Sequence, residues 1–292
     1  MSTARMVDRS DRGLVVVEGP DARTFLQNLL SQDVLRVPVG EWTHTLLLTP
    51  QGKLDVDIRL YRAGEDELWL DTEPGYGERL AASLNRYRIR VKADVADRSE
   101  EFGCLSVLTG DGDVARPHAR GAAVLDIARP RGFDVIGPQR AVDEARGDAE
   151  VASADEYEAV RIDEGVPRQG LDLDDRTIAQ EAFLDVDAVS FTKGCFIGQE
   201  LVCRIDTRGH VNRFLRRVEL VDGPEPPRGA ELVTDAGKVV GSLTSVTPAG
   251  FPWLALGYAR REVEPPAELT ARWDDGEARV RLLELSMRRS SS

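Results

Sequence analysis

The stretch from Lys53 to Tyr61 constrains the fold more tightly than any other part of this sequence. Leu54, Val56, Ile58 and Leu60 alternate along it with Asp55, Asp57, Arg59 and Tyr61. Because side chains alternate between the two faces of a β-strand, this pattern predicts a strand with one buried and one polar face. Such strands are typical of antiparallel sheets. Pro50-Gln51-Gly52 separates this strand from another at Thr43 to Thr49 and predicts a hairpin turn.

Strands and helices are mixed through the first two thirds of the chain. A buried strand is predicted at Gly13 to Val17, and a helix follows from the spacing of Ala22, Phe25, Leu26, Leu29 and Leu30. Further strands are predicted at Glu67 to Asp71 and from Ile89 to Val95, with a helix marked by Tyr76, Leu80, Leu84 and Tyr87. A similar order follows at Cys104 to Leu108, Ala122 to Ala128, Phe133 to Ile136 and a short helix around Val142. Two related α+β units are therefore expected. The stretch from Ser153 to Glu156 predicts a capping box that opens a further helix.

The pattern of predicted secondary structure changes from Phe214 onward. Short β-rich runs alternate there with clusters of glycine, proline and aspartate, such as Asp222 to Gly229. This pattern predicts an antiparallel barrel or sandwich. We predict domains at residues 1–100, 101–212 and 213–292, with a disordered tail at Arg288 to Ser292.

The motif from Lys193 to Glu200, continued to Gly209, carries the most distinctive chemistry. Gly194 and Gly198 flank the thiol of Cys195 and allow backbone shapes that other residues adopt only at a steric cost. A short helix is expected after Gly198, with Gly209 as its left-handed terminator. A helix N-terminus and the cation Lys193 both stabilise a thiolate, so Cys195 is a candidate low-pKa thiol. The alternative is a buried, inert cysteine in an ordinary turn.

Charge is distributed unevenly along the chain. The net charge of −13 disfavours direct binding to nucleic acid or to anionic membranes. Residues 193–217, the basic island, nevertheless hold six basic and two acidic residues, whereas residues 151–192 hold eleven acidic residues and three arginines. The basic island suits capture of a small anion. The alternative is a solvated face whose arginines pair with the acidic segment.

Other features limit the class of protein. Three cysteines are too few for a disulfide framework, and the eight-residue spacing of Cys195 and Cys203 is not that of a zinc or iron–sulfur site, so no metal site is expected. Residues 1–12 hold no apolar run and no long apolar stretch follows, which predicts a cytoplasmic protein without a membrane span. His44, His118 and His210 are isolated in the sequence, and only His210 is a candidate site residue.

The segment from Lys193 to Glu200 resembles the KGCY-x-GQE signature of the YgfZ family, folate-binding proteins related to the glycine-cleavage T-protein, an aminomethyltransferase. Phe196 stands where the signature has tyrosine. The resemblance implies an α+β fold with two ferredoxin-like-type domains and a C-terminal antiparallel β-barrel, in the three-domain arrangement of the T-protein. It also implies a tetrahydrofolate site where the three domains meet. The cysteine at position 195 favours the YgfZ branch over the T-protein.

The resemblance also implies roles for individual residues. Cys195 would be the reactive or cluster-contacting thiol and Lys193 its activator, while Asp57 falls on the catalytic aspartate of the T-protein. The T-protein places an acid on the pterin ring through Arg-x-Glu-x-Gly, and Asp163 falls on that position, one methylene shorter. A carboxylate there can accept two parallel N–H bonds. The other residues implied to bind the cofactor are Gly198, Gln199, Glu200, Arg204, Arg208 and Arg213.

Three functions are compatible with this pattern. The first is a tetrahydrofolate-binding accessory protein for iron–sulfur cluster assembly or repair, acting with client or assembly proteins, among them tRNA-modifying iron–sulfur enzymes. The second is a folate-dependent one-carbon transferase of the aminomethyltransferase type that uses Asp57. The third is a binding protein whose site no longer holds folate. A monomer is expected in each case.

Overall fold

A computed structural model describes residues 5–108, 123–125, 132–147 and 151–285. The predicted positions of His118 and of the tail at Arg288 to Ser292 lie outside these residues. Contacts divide the chain into two compact units, residues 1–152 with 184–203 and residues 153–183 with 204–292. They are called the first and the second unit below.

The first unit contains two antiparallel sheets. Its strands are β1 (Arg5–Asp8), β2 (Gly13–Glu18), β3 (Trp42–Leu48), β4 (Leu54–Arg62), β5 (Glu67–Thr72), β6 (Asp94–Asp97), β7 (Phe102–Leu108), β8 (Ala123–Leu125) and β9 (Gly132–Pro138). The strand order is β3-β4-β5-β2-β6 in the five-stranded sheet and β1-β7-β9-β8 in the four-stranded sheet. Its helices are α1 (Ala22–Leu29), α2 (Gly77–Tyr87) and α3 (Gln139–Arg146).

The sequence pattern places the core of the first unit correctly. Leu54, Val56, Ile58 and Leu60 of β4 are each no more than 1% exposed. The apolar stripe of α1 packs into one cluster with the last three of them. Burying each such side chain stabilises the fold by about 1.5–3 kcal/mol. The hairpin of β3 and β4 is confirmed, with Leu46 opposite Asp57.

Two local predictions in the first unit are corrected. The strand predicted from Ile89 begins only at Asp94, because Arg90 has a left-handed φ of 58° that interrupts an extended run. Ile89 is accordingly 75% exposed. Of the strand predicted at Ala122 to Ala128, the described part is Ala123–Leu125, and the remainder lies outside the described residues.

The second unit contains helix α4 (Ala154–Asp163) and a closed six-stranded barrel. Ser153 and Glu156 form the predicted capping box at the start of α4. The barrel strands are β10 (Arg213–Asp222), β11 (Glu231–Val233), β12 (Val239–Val246), β13 (Leu254–Arg260), β14 (Ala267–Trp273) and β15 (Gly276–Leu283). They close in the order β10-β13-β12-β11-β14-β15. The barrel alternative is therefore correct and the sandwich is not. Helix α5 (Gln199–Arg208) contains the boundary between the units.

Candidate functional site

Two glycines join the motif to the β3–β4 hairpin in the first unit. Gly52 in the hairpin turn has a φ of +76° and Gly198 has a φ of +78°. A Cβ on Gly198 would lie 2.5 Å from the carbonyl oxygen of Thr49 and 3.0 Å from the Cα of Gly52. Residues 193–198, which we call the thiol loop, therefore pack against the hairpin turn through the backbone of Gly198. Only glycine permits this close approach.

Lys193 anchors the other end of the thiol loop. Its ammonium donates hydrogen bonds to the backbone carbonyls of Gln27 and Leu30 at 2.6 Å and of Gln32 at 2.9 Å. These carbonyls lie in and just after the last turn of α1, where a helix lacks internal donors and favours a cation. Burial lowers the pKa of Lys193 to about 8, while Asp33 opposes the shift, so the amine remains mostly protonated at pH 7.

These contacts give Lys193 a role that the sequence did not predict. All three ammonium protons bind carbonyls, and the ring of Phe196 lies 5.3 Å from the nitrogen. Lys193 is thus a buried anchor of the loop, and its action on the Cys195 thiol stays a prediction.

Cys195 projects from the loop between these anchors. Its side chain is exposed, and neighbouring Gly194 has open space where a Cβ would stand. The inert alternative, in which the thiol is buried, is therefore wrong for Cys195. It applies instead to Cys104, which is buried and whose pKa is raised by that burial.

Helix α5 follows the loop as predicted. Gln199 begins it, and the side-chain oxygen of Gln199 accepts a hydrogen bond from the backbone N–H of Phe196 at 3.3 Å. Glu200, Arg204 and Arg208 are exposed along the helix. Gly209 ends the helix without a left-handed φ, so that prediction is wrong; a Cβ there would lie 2.8 Å from the Cα of Ile205.

His44 is the residue that sequence reasoning missed. Its Nε2 lies 2.6 Å from Oδ1 of Asp57 on β4, and its Nδ1 lies 3.1 Å from Oδ1 of Asp187. Burial lowers the pKa of His44, but the two carboxylates outweigh burial and raise it to about 10. The ring is therefore an imidazolium at neutral pH, and it holds the pKa of Asp187 below its usual range against the opposing effect of burial.

In the second unit, Asp163 lies at the end of α4 and pairs with Arg217 of β10. One guanidinium nitrogen of Arg217 donates to the backbone carbonyl of Asp163 at 2.9 Å and the other to its carboxylate at 3.2 Å. The Asp163 side chain remains 31% exposed. Arg161, two residues earlier, is buried and binds Asp172 at 2.8 Å, so it serves as an internal ion pair.

The arginines of the basic island have different surroundings. Arg213 donates to Glu181 at 3.1 Å and lies over the ring of Tyr258 at 4.1 Å. Arg204 and Arg208 are exposed, and neither side chain forms an ion pair or hydrogen bond with a residue that the structure describes. These two arginines are thus the best placed of the predicted residues to meet an anion from solution.

Within the described ranges, no group of three or more His, Cys, Asp or Glu side chains is arranged to hold a metal ion. Across the same ranges, no helix is long and apolar enough to cross a membrane.

Comparison with known proteins gives consistent matches. Residues 1–110 match the GCVT N-terminal domain. The chain is 25% identical to the tRNA-modifying protein YgfZ of Klebsiella pneumoniae, over 95% of this chain and 91% of that protein. It is 28% identical to the iron-sulfur cluster assembly factor IBA57, mitochondrial, of Mus musculus, over 86% of this chain and 76% of that protein. Over most of its length the chain is therefore similar to proteins named YgfZ and IBA57.

The fold resembles that of a solved aminomethyltransferase structure. The crystal structure of glycine cleavage system aminomethyltransferase T from Bartonella henselae superposes with a TM-score of 0.81 and 21% identity, covering 99% of this chain and 87% of that chain. The predicted fold class and three-domain type of arrangement are therefore confirmed. The match spans 55 to 62% of the length of three fungal IBA57 homologues.

Of the two contacts of His44, the one with Asp57 could have been predicted from the sequence. The hairpin pairs Leu46 with Asp57, which places His44 two residues along the same strand and on the same face as Leu46, diagonal to Asp57. Asp187 is 143 residues from His44, and no spacing rule relates them.

Proposed function

We propose that this protein, which is similar to YgfZ and IBA57, binds tetrahydrofolate and supports iron–sulfur cluster assembly or repair, including the iron–sulfur enzymes that modify tRNA. Relatives that are named as a tRNA-modifying protein and as an iron–sulfur cluster assembly factor support this role. The observation that carries it is the exposed Cys195 thiol, which is presented by a loop fixed through Lys193 and Gly198. Two positions, one on each side of the exposed thiol, are restricted to particular residues that hold the loop in place. Such support is expected where the position of the thiol sulfur matters for chemistry.

The donor set of the second unit fits a folate. Asp163 offers a partly exposed carboxylate, oriented by Arg217, to the N–H groups of an aminopyrimidinone edge. Arg204 and Arg208 offer exposed guanidinium groups to the carboxylates of a glutamate tail. Arg213 is already paired with Glu181 and is a weaker tail ligand than proposed from the sequence.

The residues of the thiol loop have separate tasks in this proposal. Gly198 and Gln199 shape the loop, because Gly198 packs on the hairpin and Gln199 binds the Phe196 amide. The thiolate of Cys195 then contacts an iron centre or cluster. This iron belongs to the client protein and is not a cofactor of this protein. Bound tetrahydrofolate supplies one-carbon or reducing chemistry; the protein supplies its orientation.

The transferase alternative would use Asp57. The carboxylate of Asp57 accepts a hydrogen bond from the His44 imidazolium at 2.6 Å, so it is already held by a cation. This contact favours the accessory role over one in which Asp57 aligns the folate amine. Cytoplasmic location, a monomeric state and the identity of the client proteins stay predictions.

Calorimetric titration of the full chain with tetrahydrofolate tests the ligand. Binding that is weakened at least about tenfold in Asp163→Ala, as loss of a charged hydrogen bond predicts, would support the proposal. Absence of heat at millimolar tetrahydrofolate would reject folate binding.

Cys195→Ala tests the thiol, with Cys203→Ala as the matched control. Each variant is expressed in a bacterial host that lacks its own family member, and the activities of iron–sulfur enzymes are measured. We expect Cys195→Ala to bind folate normally and to lose these activities, and Cys203→Ala to retain both. Full activity with Cys195→Ala would overturn the accessory role, and loss of folate turnover in Asp57→Asn with intact iron–sulfur activity would support the transferase.

A further inference from the structure

The thiol loop is connected to the rest of the first unit through residues 187–193, the linking segment. The segment lies along the end of α1 and is fixed near its middle by Ser31. The hydroxyl of Ser31 donates to the carbonyl of Ala188 at 2.6 Å, and its carbonyl accepts the N–H of Ser190 at 3.0 Å. Lys193 fixes the end nearest Cys195 through the three carbonyls described above. The start of the segment, at Asp187, bonds directly to a side chain of the sheet, and the backbone carbonyl of Asp187 also accepts a hydrogen bond from Nε2 of Gln32 at 2.7 Å.

The attachment to the sheet passes through one side chain. His44 of β3 binds Asp57 of the neighbouring strand β4 through one ring nitrogen and Asp187 through the other. The His44 and Asp57 side chains are 18% and 20% exposed. An imidazolium has two N–H donors on opposite sides of a rigid ring, so it can join two carboxylates that would otherwise repel each other.

We propose that His44 is a positioning residue for Cys195, fixing the start of the linking segment to the sheet and thereby the direction in which the thiol loop presents the thiol. The importance of this role rests on the proposed function of Cys195. The contacts are sequential: Asp57 orients His44, His44 holds Asp187, and the segment then runs through Ser190 and Lys193 to Cys195. With the Asp187 carboxylate released, Gln32, Ser31 and Lys193 still hold the backbone of the segment, so the loop shifts without unfolding the sheet.

A competing interpretation is an incidental ion pair. The Asp187 side chain is 49% exposed, and exposed pairs contribute little because water screens them. The two interpretations differ in what they predict for the backbone of residues 187–196. An incidental pair leaves the backbone of the segment unchanged when it is broken, whereas a positioning contact does not.

Amide hydrogen exchange of the full chain separates them. In His44→Gln we expect the Ala188 and Ser190 amides, which donate to Leu184 and Ser31, to exchange about five- to tenfold faster than in the wild type. The alkylation rate of Cys195 by iodoacetamide, followed by mass spectrometry of its peptide, should change by about threefold or more. The rate at buried Cys104 should stay the same.

Asp187→Asn tests the same contact from its exposed side and covers the case in which His44→Gln fails to fold. It should reproduce the exchange and alkylation changes, and the double variant should add nothing further. Lys238→Gln, which breaks the exposed Lys238–Glu262 pair in the barrel, is the matched control and should leave both readouts at wild-type values. If the Ala188 and Ser190 amides exchange at wild-type rates in both His44→Gln and Asp187→Asn, the proposal is overturned.

Neither measurement requires folate or an iron–sulfur client. Failure of the exchange test therefore rejects the role of His44 and leaves the proposed function intact. Loss of folate binding in the wild type would reject the function and leave the exchange result unaffected.

Discussion

Single residues with unusual backbone or bonding requirements determine where the Cys195 thiol is presented. Gly198 adopts a left-handed conformation against the hairpin turn, and Lys193 gives all its donors to backbone carbonyls. Neither residue needs to touch a ligand for its replacement to affect function. Their effects are therefore best measured first as changes in stability.

Gly198→Ala should destabilise the protein by about 1–3 kcal/mol, because alanine is strained at positive φ and its Cβ would meet the Thr49 carbonyl. Gly194→Ala is the matched control, since its added Cβ meets nothing within 4 Å. Urea unfolding of the two variants measures the difference. Equal stabilities would contradict the packing of the loop on the hairpin.

Lys193→Met keeps the length and apolar stem of the side chain but removes its three donors. We expect a loss of about 1–3 kcal/mol in the free energy of unfolding, because carbonyls at the end of α1 lose their charged partner. Lys92→Met, at an exposed position, should change stability by less than about 0.5 kcal/mol. If the two variants were equally stable, the anchoring role of Lys193 would be wrong.

At the scale of elements, the contact from β3 and β4 to the linking segment depends on the charge of His44. Its pKa in the folded protein is about 10, above the usual value of about 6.5 in an unfolded chain. The folded state therefore binds more protons between these values. The stabilisation is complete below about pH 6.5 and is lost as the pH rises through about 10.

The free energy of unfolding should thus fall more steeply with pH in the wild type than in His44→Gln over this interval. Urea titrations at several pH values between about 7 and 10 measure the two slopes. Titration of Lys193 occurs in the same interval with the opposite sign, since its pKa is lowered, but it is common to both proteins and cancels in the comparison. Parallel slopes would show that His44 gains no charge from its two carboxylates.

At the scale of the whole molecule, a net charge of −13 opposes every anionic ligand, and local cations must overcome that repulsion. Arg204 and Arg208 are exposed and unpaired with the described residues, so they are available for this task. The charge of the molecule therefore selects small anions over long polyanions, which meet the surrounding acidic surface.

Arg204→Glu with Arg208→Glu should weaken binding of a folate with several tail glutamates at least about tenfold, through lost ion pairs and added repulsion. The melting temperature should change little, because neither side chain is needed by the fold. Arg228→Glu with Arg261→Glu, at two exposed arginines in the second unit, makes the same change in net charge and is the matched control. Unchanged folate affinity in the double variant would remove both arginines from the proposed site.

Local periodicity was sufficient for much of the fold. The alternation in β4, the stripe of α1 and the capping box of α4 are each dictated by neighbours within a few residues, and all three are confirmed. The prediction at Ile89 to Val95 was wrong in its first half because alternation alone did not reveal the left-handed turn at Arg90. Short-range patterns specify an element and leave its ends uncertain.

The sequence by itself determined the α+β class, the short strands of the C-terminal β-domain and the position of the thiol motif, because each follows from residue spacing within one stretch of chain. Only the tertiary structure decided that Lys193 caps α1, that Gly52 supports Gly198 and that Asp187 binds His44. These contacts connect residues more than a hundred positions apart. Their partners are selected by how sheets, helices and loops pack, and no local pattern encodes that packing.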